Sequence, residues 1–308
     1  MSSNIALIVV FNHNYEKNLP LLREIYKNRF SNIYFLMPFY QGSDNDVVSV
    51  SYPSNCFQGY LAQAYEKLKG FDYDHWLVIG DDLILNPSVN QENVKEVLNV
   101  GPNDCFIPTL NKFHDKLVWR HSRRYLDFNI RSKFVEIAPQ LPKREDCASR
   151  LAAYGVEPSG LSYENVYIAP YPELKTEDER IAIFGRRYLS DREKFFNETG
   201  LLHGDYPACF GYSDILMLSR GSLDQFCHLC SVTAAGGLFV EIAIPTCLVL
   251  STKGVVRTQE TSTLKGRALW GKEVESVLDE FDCNFEKLQT HFPSNYLYLH
   301  PVKLSKWV

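Results

Sequence analysis

No apolar stretch in the sequence approaches the roughly 20 residues that a helix needs to cross a bilayer. Glycine-rich phosphate loops are missing as well. No GxGxxG follows a strand-like run, which excludes a classical dinucleotide-binding fold, and the segment after the first such run reads Phe11-Asn12-His13-Asn14-Tyr15. There is no excess of positive charge: the net charge is −5 and the pI about 5.9, which argues against nucleic acid as a partner. One local basic cluster stands out, Arg120-His121-Ser122-Arg123-Arg124. Cysteine spacing for a zinc finger or ribbon is also absent. Cys227-His228-Leu229-Cys230 has no second ligand pair at the required distance, and its helix-like surroundings favour core packing. The run Ile5–Phe11 is too short and too poorly flanked for an export signal, so the eight cysteines are expected to be reduced thiols of a cytoplasmic protein.

What the chain has instead is alternation. Strand-like runs at Ile5–Phe11, Ile33–Pro38, Val47–Tyr52 and Trp76–Ile79 are separated by helical patterns at Leu19–Phe30 and Phe57–Leu68. A helix near Asn90–Leu98 and a strand over Cys105–Leu110 follow. This order predicts right-handed crossovers and an α/β fold, with a mostly parallel central sheet flanked by helices. Residues 111–204 are richer in charge and less regular, which predicts a helical insertion. Beyond them come a strand over Gly211–Leu218, a helix over Leu223–Ala235, the apolar run Phe239–Leu250 and a helix near Glu273–Phe281. The expectation is one domain over 1–308 in three parts: 1–110, the insertion 111–204, and 205–308. With 18 Tyr and 19 Phe, aromatic side chains serve either a large core or sugar-stacking surfaces; Trp119, Tyr154 and Trp270 are the stacking candidates, with packing the plainer role for each.

The densest signal is His75–Pro87, HWLVIGDDLILNP. An apolar run of buried-strand character ends in two adjacent carboxylates, Asp81 and Asp82. Desolvation and mutual repulsion both oppose such a pair unless something compensates them. A divalent cation is the simplest compensation, and Gly80 would allow a ligand to approach closely. A solvated strand-to-helix turn with Asp as a cap is the alternative. In parallel sheets ligands bind beyond the carboxyl ends of the strands, where Phe11-Asn12, Pro38-Phe39-Tyr40 and the acid pair all fall.

This arrangement resembles the GT-A fold of nucleotide-sugar glycosyltransferases, a Rossmann-like architecture whose fourth strand ends in an acidic DxD-type motif. In the exostosin-like branch that motif is three consecutive acids; here Gly80-Asp81-Asp82 lacks the first. The resemblance implies that Asp82 carries the metal bond, with Mn²⁺ or Mg²⁺ as the ion, and that Asp81 assists through water or the ribose. It implies a nucleoside-diphosphate sugar donor, UDP-sugar foremost, whose base and ribose sit at Phe11, Asn12, Phe39 and Tyr40. It also implies a metal-ligating His300 and a diphosphate-binding Lys303 in the terminal His300-Pro301-Val302-Lys303, with Lys265 and Arg267 as further donors. An exposed tail is the alternative for that segment. An inverting member needs a general base from the C-terminal part. Glu241 is the lone acid in Gly237–Pro245, an environment that raises a carboxylate's pKa; a buried carboxylate paired with an arginine is its other reading. Asp214, in Gly211-Tyr212-Ser213-Asp214, is the runner-up, as a base, an acceptor-hydroxyl ligand or a strand-end cap. The acceptor implied is a carbohydrate, bound by the acceptor-side C-terminal portion and the insertion. Two rivals stand beside this reading: a nucleotidyltransferase, disfavoured by the glycine-free loop after the first strand, and a catalytically inactive carbohydrate-binding or scaffold module of the same fold.

Overall fold

The computed structural model describes residues 4–113, 119–128, 136–157, 161–200, 202, 204 and 206–307. The chain packs as two compact units, the first made of Met1–Thr109, Tyr212–Ser231 and Ser251–Val308, the second of Leu110–Gly211 and Val232–Leu250.

The first unit is α/β. Its strands are β1 (Ile5–Val10), β2 (Asn32–Pro38), β3 (Val47–Val50), β4 (His75–Gly80), β5 (Ile84–Leu85), β6 (Cys105–Phe106), β7 (Ile215–Ser219), β8 (Val256–Arg257), β9 (Lys265–Ala268) and β10 (Tyr296–His300). Seven form a central, mostly parallel sheet in the order β3-β2-β1-β4-β7-β6-β8, with β7 antiparallel to both its neighbours. All six residues of β1, Ile-Ala-Leu-Ile-Val-Val, are buried, as an unbroken apolar run demands of a central strand covered on both faces. Helix α1 (Leu19–Tyr26) turns Leu19, Leu22, Ile25 and Tyr26 inward at helical spacing, with proline in its first turn. It stops short of the expected Phe30. Arg29 leaves the helical path, and its guanidinium bonds the carbonyls of Val89 (2.9 Å) and Asn86 (2.6 Å). Helix α2 (Gln58–Leu68) matches its sequence pattern.

Two later expectations shrink for local reasons. Of Asn90–Leu98 only Val94–Val97 is helical, because the Asn90 side chain accepts from the backbone of Glu92 and holds an Asx turn. The strand at Cys105–Leu110 keeps only its first two residues, since Pro108 has no N–H to give a ladder.

A second sheet, β5-β10-β9, positions the C-terminal segment. Strand β10 runs antiparallel to β5, Leu299 facing Ile84 and Tyr298 facing Leu85, and parallel to β9. Gly266 is needed here: a Cβ on it would stand 2.2 Å from the Tyr298 ring. Leu297 and Leu299 join the same core as Leu7, Val9, Leu77 and Ile79.

The second unit is helical, with helices at Ser122–Asp127, Arg144–Ala152, Glu177–Phe184, Arg186–Thr199 and Val240–Ser251. Thr176 and Glu179 form a reciprocal capping box at the start of Glu177–Phe184. The apolar run Phe239–Leu250 is a helix despite Pro245. A proline frees the carbonyl four residues back, here Glu241, and the N–H of Gly211 takes that carbonyl at 2.9 Å. Trp119 is packing, its ring 5.1 Å from Phe210 and 5.8 Å from Phe239.

Candidate active site at the carboxyl end of the parallel strands

In the central sheet the chain order reverses between β1 and β4. The loops leaving two such strands diverge and open a crevice. Asn12 stands after β1 and Asp81 after β4, and the two are joined: the Asn12 N–H donates to Asp81 Oδ1 at 3.2 Å, and the Asp81 N–H donates to the Val10 carbonyl at 2.9 Å. Asp81 is 6% exposed. Burial first, then the neighbouring charge of Asp82, pushes its carboxyl up to about 7.

Asp82 faces the C-terminal segment. Its carbonyl accepts the N–H of Val302 at 2.6 Å, and its Oδ1 accepts from His300 Nε2 at 3.1 Å. Burial alone would lower the pKa of His300, but the hydrogen bond to Asp82 and the charges of Asp214, Asp82 and Asp81 outweigh it and raise the imidazole above its ordinary value. The Tyr212 ring meets His300 edge-on at 5.8 Å and lies parallel to Tyr298 at 5.7 Å, which fixes the imidazole's attitude. Asp214 completes the group. Burial raises its pKa, Asp82 adds to the rise and His300 opposes it. One carboxylate thus bonds the imidazole and two more act on it through their charge, a local excess of negative charge in a poorly hydrated place.

A cleft of about 440 Å³ opens over the acid pair, lined by Asn12, His13, Ser54, Asp81, Asp82 and Lys303 among others; His300 and Asp214 stand behind that lining, in reach of Asp82. That volume suits a small-molecule ligand. Behind it the Tyr60 hydroxyl is buried with no hydrogen-bond partner among the described residues; burial and then Asp81 push it up to about 12. No protein-family model matches this chain, and no curated protein matches it. The geometry therefore carries the functional reading.

The site gathers Asn12, Asp81, Asp82, Asp214, His300 and Lys303 from the residues the sequence singled out. The others have surroundings of their own. Phe11 is a core residue, fully buried and edge-on to Phe35 at 6.1 Å. Phe39 is 62% exposed at the carboxyl end of β2, and its carbonyl accepts from the Asn14 side chain at 3.2 Å. The Tyr40 hydroxyl accepts from the Asp44 N–H at 3.3 Å. Lys265 Nζ holds the carbonyls of Gln259, Glu260 and Ser262 in its own loop. The Arg267 guanidinium lies 5.2 Å over the Tyr296 ring. Glu241 belongs to the second unit, half-buried in the first turn of Val240–Ser251. Trp270 is 67% exposed, so packing does not explain it. Nor is Gly80 demanded by crowding, since a Cβ there would meet Asp82 Oδ1 at an ordinary 3.4 Å. Sequence reasoning missed Tyr60, Tyr212 and Tyr298. Tyr60 reads only as one position of a helical pattern, and nothing local marks the other two.

Among the described residues no three His, Cys, Asp or Glu side chains converge as an all-protein metal cage. Mg²⁺ and Mn²⁺ need less: one or two protein ligands, with water and substrate phosphates completing the shell. One carboxylate and one imidazole, Asp82 and His300, fit such a site in kind, and the excess charge of Asp81 and Asp214 is what a dication would offset.

Proposed function

We propose that the protein is a metal-dependent glycosyltransferase of the GT-A type, moving a sugar from a nucleoside-diphosphate donor, UDP-sugar foremost, to a carbohydrate acceptor with inversion. The observation that carries this reading is the acid pair at the end of β4, lying at the reversal of strand order and engaged by His300 from the last strand. Asp82 and His300 would hold Mn²⁺ or Mg²⁺; such an ion, when bound, supplies electrophilic assistance to a departing diphosphate. The chain's own groups do the rest. Lys303, in the cleft wall, donates to the diphosphate oxygens. Asn12 and Asp81 shape the floor, and the exposed Phe39 ring offers a flat face for a base. The acceptor hydroxyl needs a proton acceptor. Glu241 is the first candidate and Asp214, within the carboxylate group, the second.

The test is a thermal-shift panel of nucleoside-diphosphate sugars, each with and without Mn²⁺. Ligand at about a hundredfold excess over its Kd stabilises the folded state by about 2.7 kcal/mol. A metal-dependent rise with one donor, followed by sugar release from that donor, supports the transferase. A donor that binds and never turns over supports the inactive-module reading, which the glycine standing at the first position of the acidic motif, Gly80, favours. No shift with any donor removes the donor-binding role from the cleft.

A further inference from the structure

The basic cluster Arg120–Arg124 has no role in the chemistry proposed above. It lies in the second unit, on the turn that leads into Ser122–Asp127, where the Arg124 N–H bonds the His121 carbonyl at 3.0 Å. Arg123 is internally engaged: its Nε is 3.4 Å from Asp127 Oδ2, and its guanidinium lies 5.0 Å over the Phe184 ring. Arg120 and Arg124 differ. Among the described residues neither guanidinium has a carboxylate within ion-pair distance. Arg120 is exposed; Arg124 is half-buried, its guanidinium 5.2 Å over the ring of Phe239.

Between them the His121 ring stacks on Phe239 at 3.8 Å and 5°, with Trp119 edge-on at 5.3 Å. Burial, then Arg124 and Arg120, push His121 down to about 4, so at neutral pH it carries no charge. The result is two guanidiniums that, among the described residues, have no carboxylate partner, four positions apart on either side of His121 and beside an aromatic wall. Like charges held near each other repel, and a bound anion would reverse the sign of that interaction. A guanidinium already laid on a ring has less rotamer freedom to lose, and its planar fork matches two oxygens of one anion.

We propose that Arg120 and Arg124 form an oxyanion site that holds a carboxylate or phosphate group of the acceptor. Assigning the anion to the acceptor rests on the transferase reading and on Phe239 lying two residues before Glu241, the first candidate base; the oxyanion site itself does not rest on it. The acceptor is then an acidic sugar, a uronate or a sugar phosphate.

The experiment titrates the full chain at low salt with D-glucuronate, D-glucose 6-phosphate and D-glucose, following the His121 ring protons by NMR. Saturable binding of both anions, none of glucose, and an upward move of the His121 titration on binding are expected, because the anion cancels the guanidinium field at the imidazole. Arg124→Gln should weaken anion binding at least tenfold and Arg120→Gln several-fold. Arg124→Lys, which keeps the charge but not the fork, should restore part of it, and Arg123→Gln should leave it unchanged. Equal anion binding by wild type and the Arg120→Gln/Arg124→Gln variant, equal binding of glucose, or an unmoved His121 titration would overturn the site. The metal-dependent donor shift is read on the same samples. Its loss with anion binding intact counts against the transferase alone.

Discussion

Asp81 is a buried acid whose charge is opposed by burial and by Asp82 more strongly than the Asn12 N–H and His300 favour it, so replacing it by asparagine should stabilise the metal-free protein at alkaline pH. The folded carboxyl titrates at about 7 against 3.8 unperturbed. Between those values the unfolded chain has already released the proton while the folded chain still holds it, so raising the pH favours unfolding. The contribution of protonated Asp81 is fully present below pH 3.8 and is gone above about 7. A difference of about 3 pKa units corresponds to about 4 kcal/mol, accumulated at about 1.4 kcal/mol per pH unit. Asparagine is nearly isosteric, keeps an oxygen to accept the Asn12 N–H and carries no charge at any pH. Urea denaturation of wild type and Asp81→Asn in EDTA, at steps from pH 5 to 8, reads this group together with its coupling to Asp82 and His300, while titrations remote from it cancel in the difference. The variant's advantage should grow by about 2 kcal/mol between pH 5 and 7 and then level off. Saturating Mn²⁺ at pH 8 should shrink it, since a dication favours the ionised wild-type carboxylate. A difference that stays flat from pH 5 to 8, or a variant less stable than wild type at pH 8, would refute the claim that the fold disfavours the Asp81 charge.

Other outcomes follow from the same geometry. Asp82→Ala should abolish the Mn²⁺-dependent thermal shift with a donor while leaving the fold intact by circular dichroism; an undiminished shift removes Asp82 from the metal site. Glu241→Gln should keep donor binding and lose transfer at least a hundredfold, the ordinary scale of general-base catalysis. If transfer survives that change but falls in Asp214→Asn, the base lies in the carboxylate group of the first unit. Gly266→Ala drives a Cβ to 2.2 Å from the Tyr298 ring and should destabilise the protein by about 1–3 kcal/mol, seen as a lower urea midpoint. An unchanged midpoint would mean the β9–β10 contact relaxes freely.

Local pattern was enough for the first half of the sheet. The runs that became β1, β2 and β4 are apolar without interruption, and only a strand covered on both faces accommodates that. Charge cannot continue such a run, so the acid pair had to mark its end, and alternation with helices put that end on the ligand-binding edge. The rest had no local trace. Phe11 and Asn12 are neighbours in sequence, yet opposite-facing side chains send one into the core and leave the other at the cleft. Lys265 looks like a free cation until the fold of its own loop presents three carbonyls to it. The second unit draws residues 232–250 together with 110–211, which no composition boundary announces. Above all, His300 meets Asp82 across 218 residues, because β10 pairs with β5 in one particular register. Periodicity records which face of an element is apolar. It does not record which distant partner covers that face, and that choice of partner is what assembled three carboxylates, an imidazole and a lysine into one site.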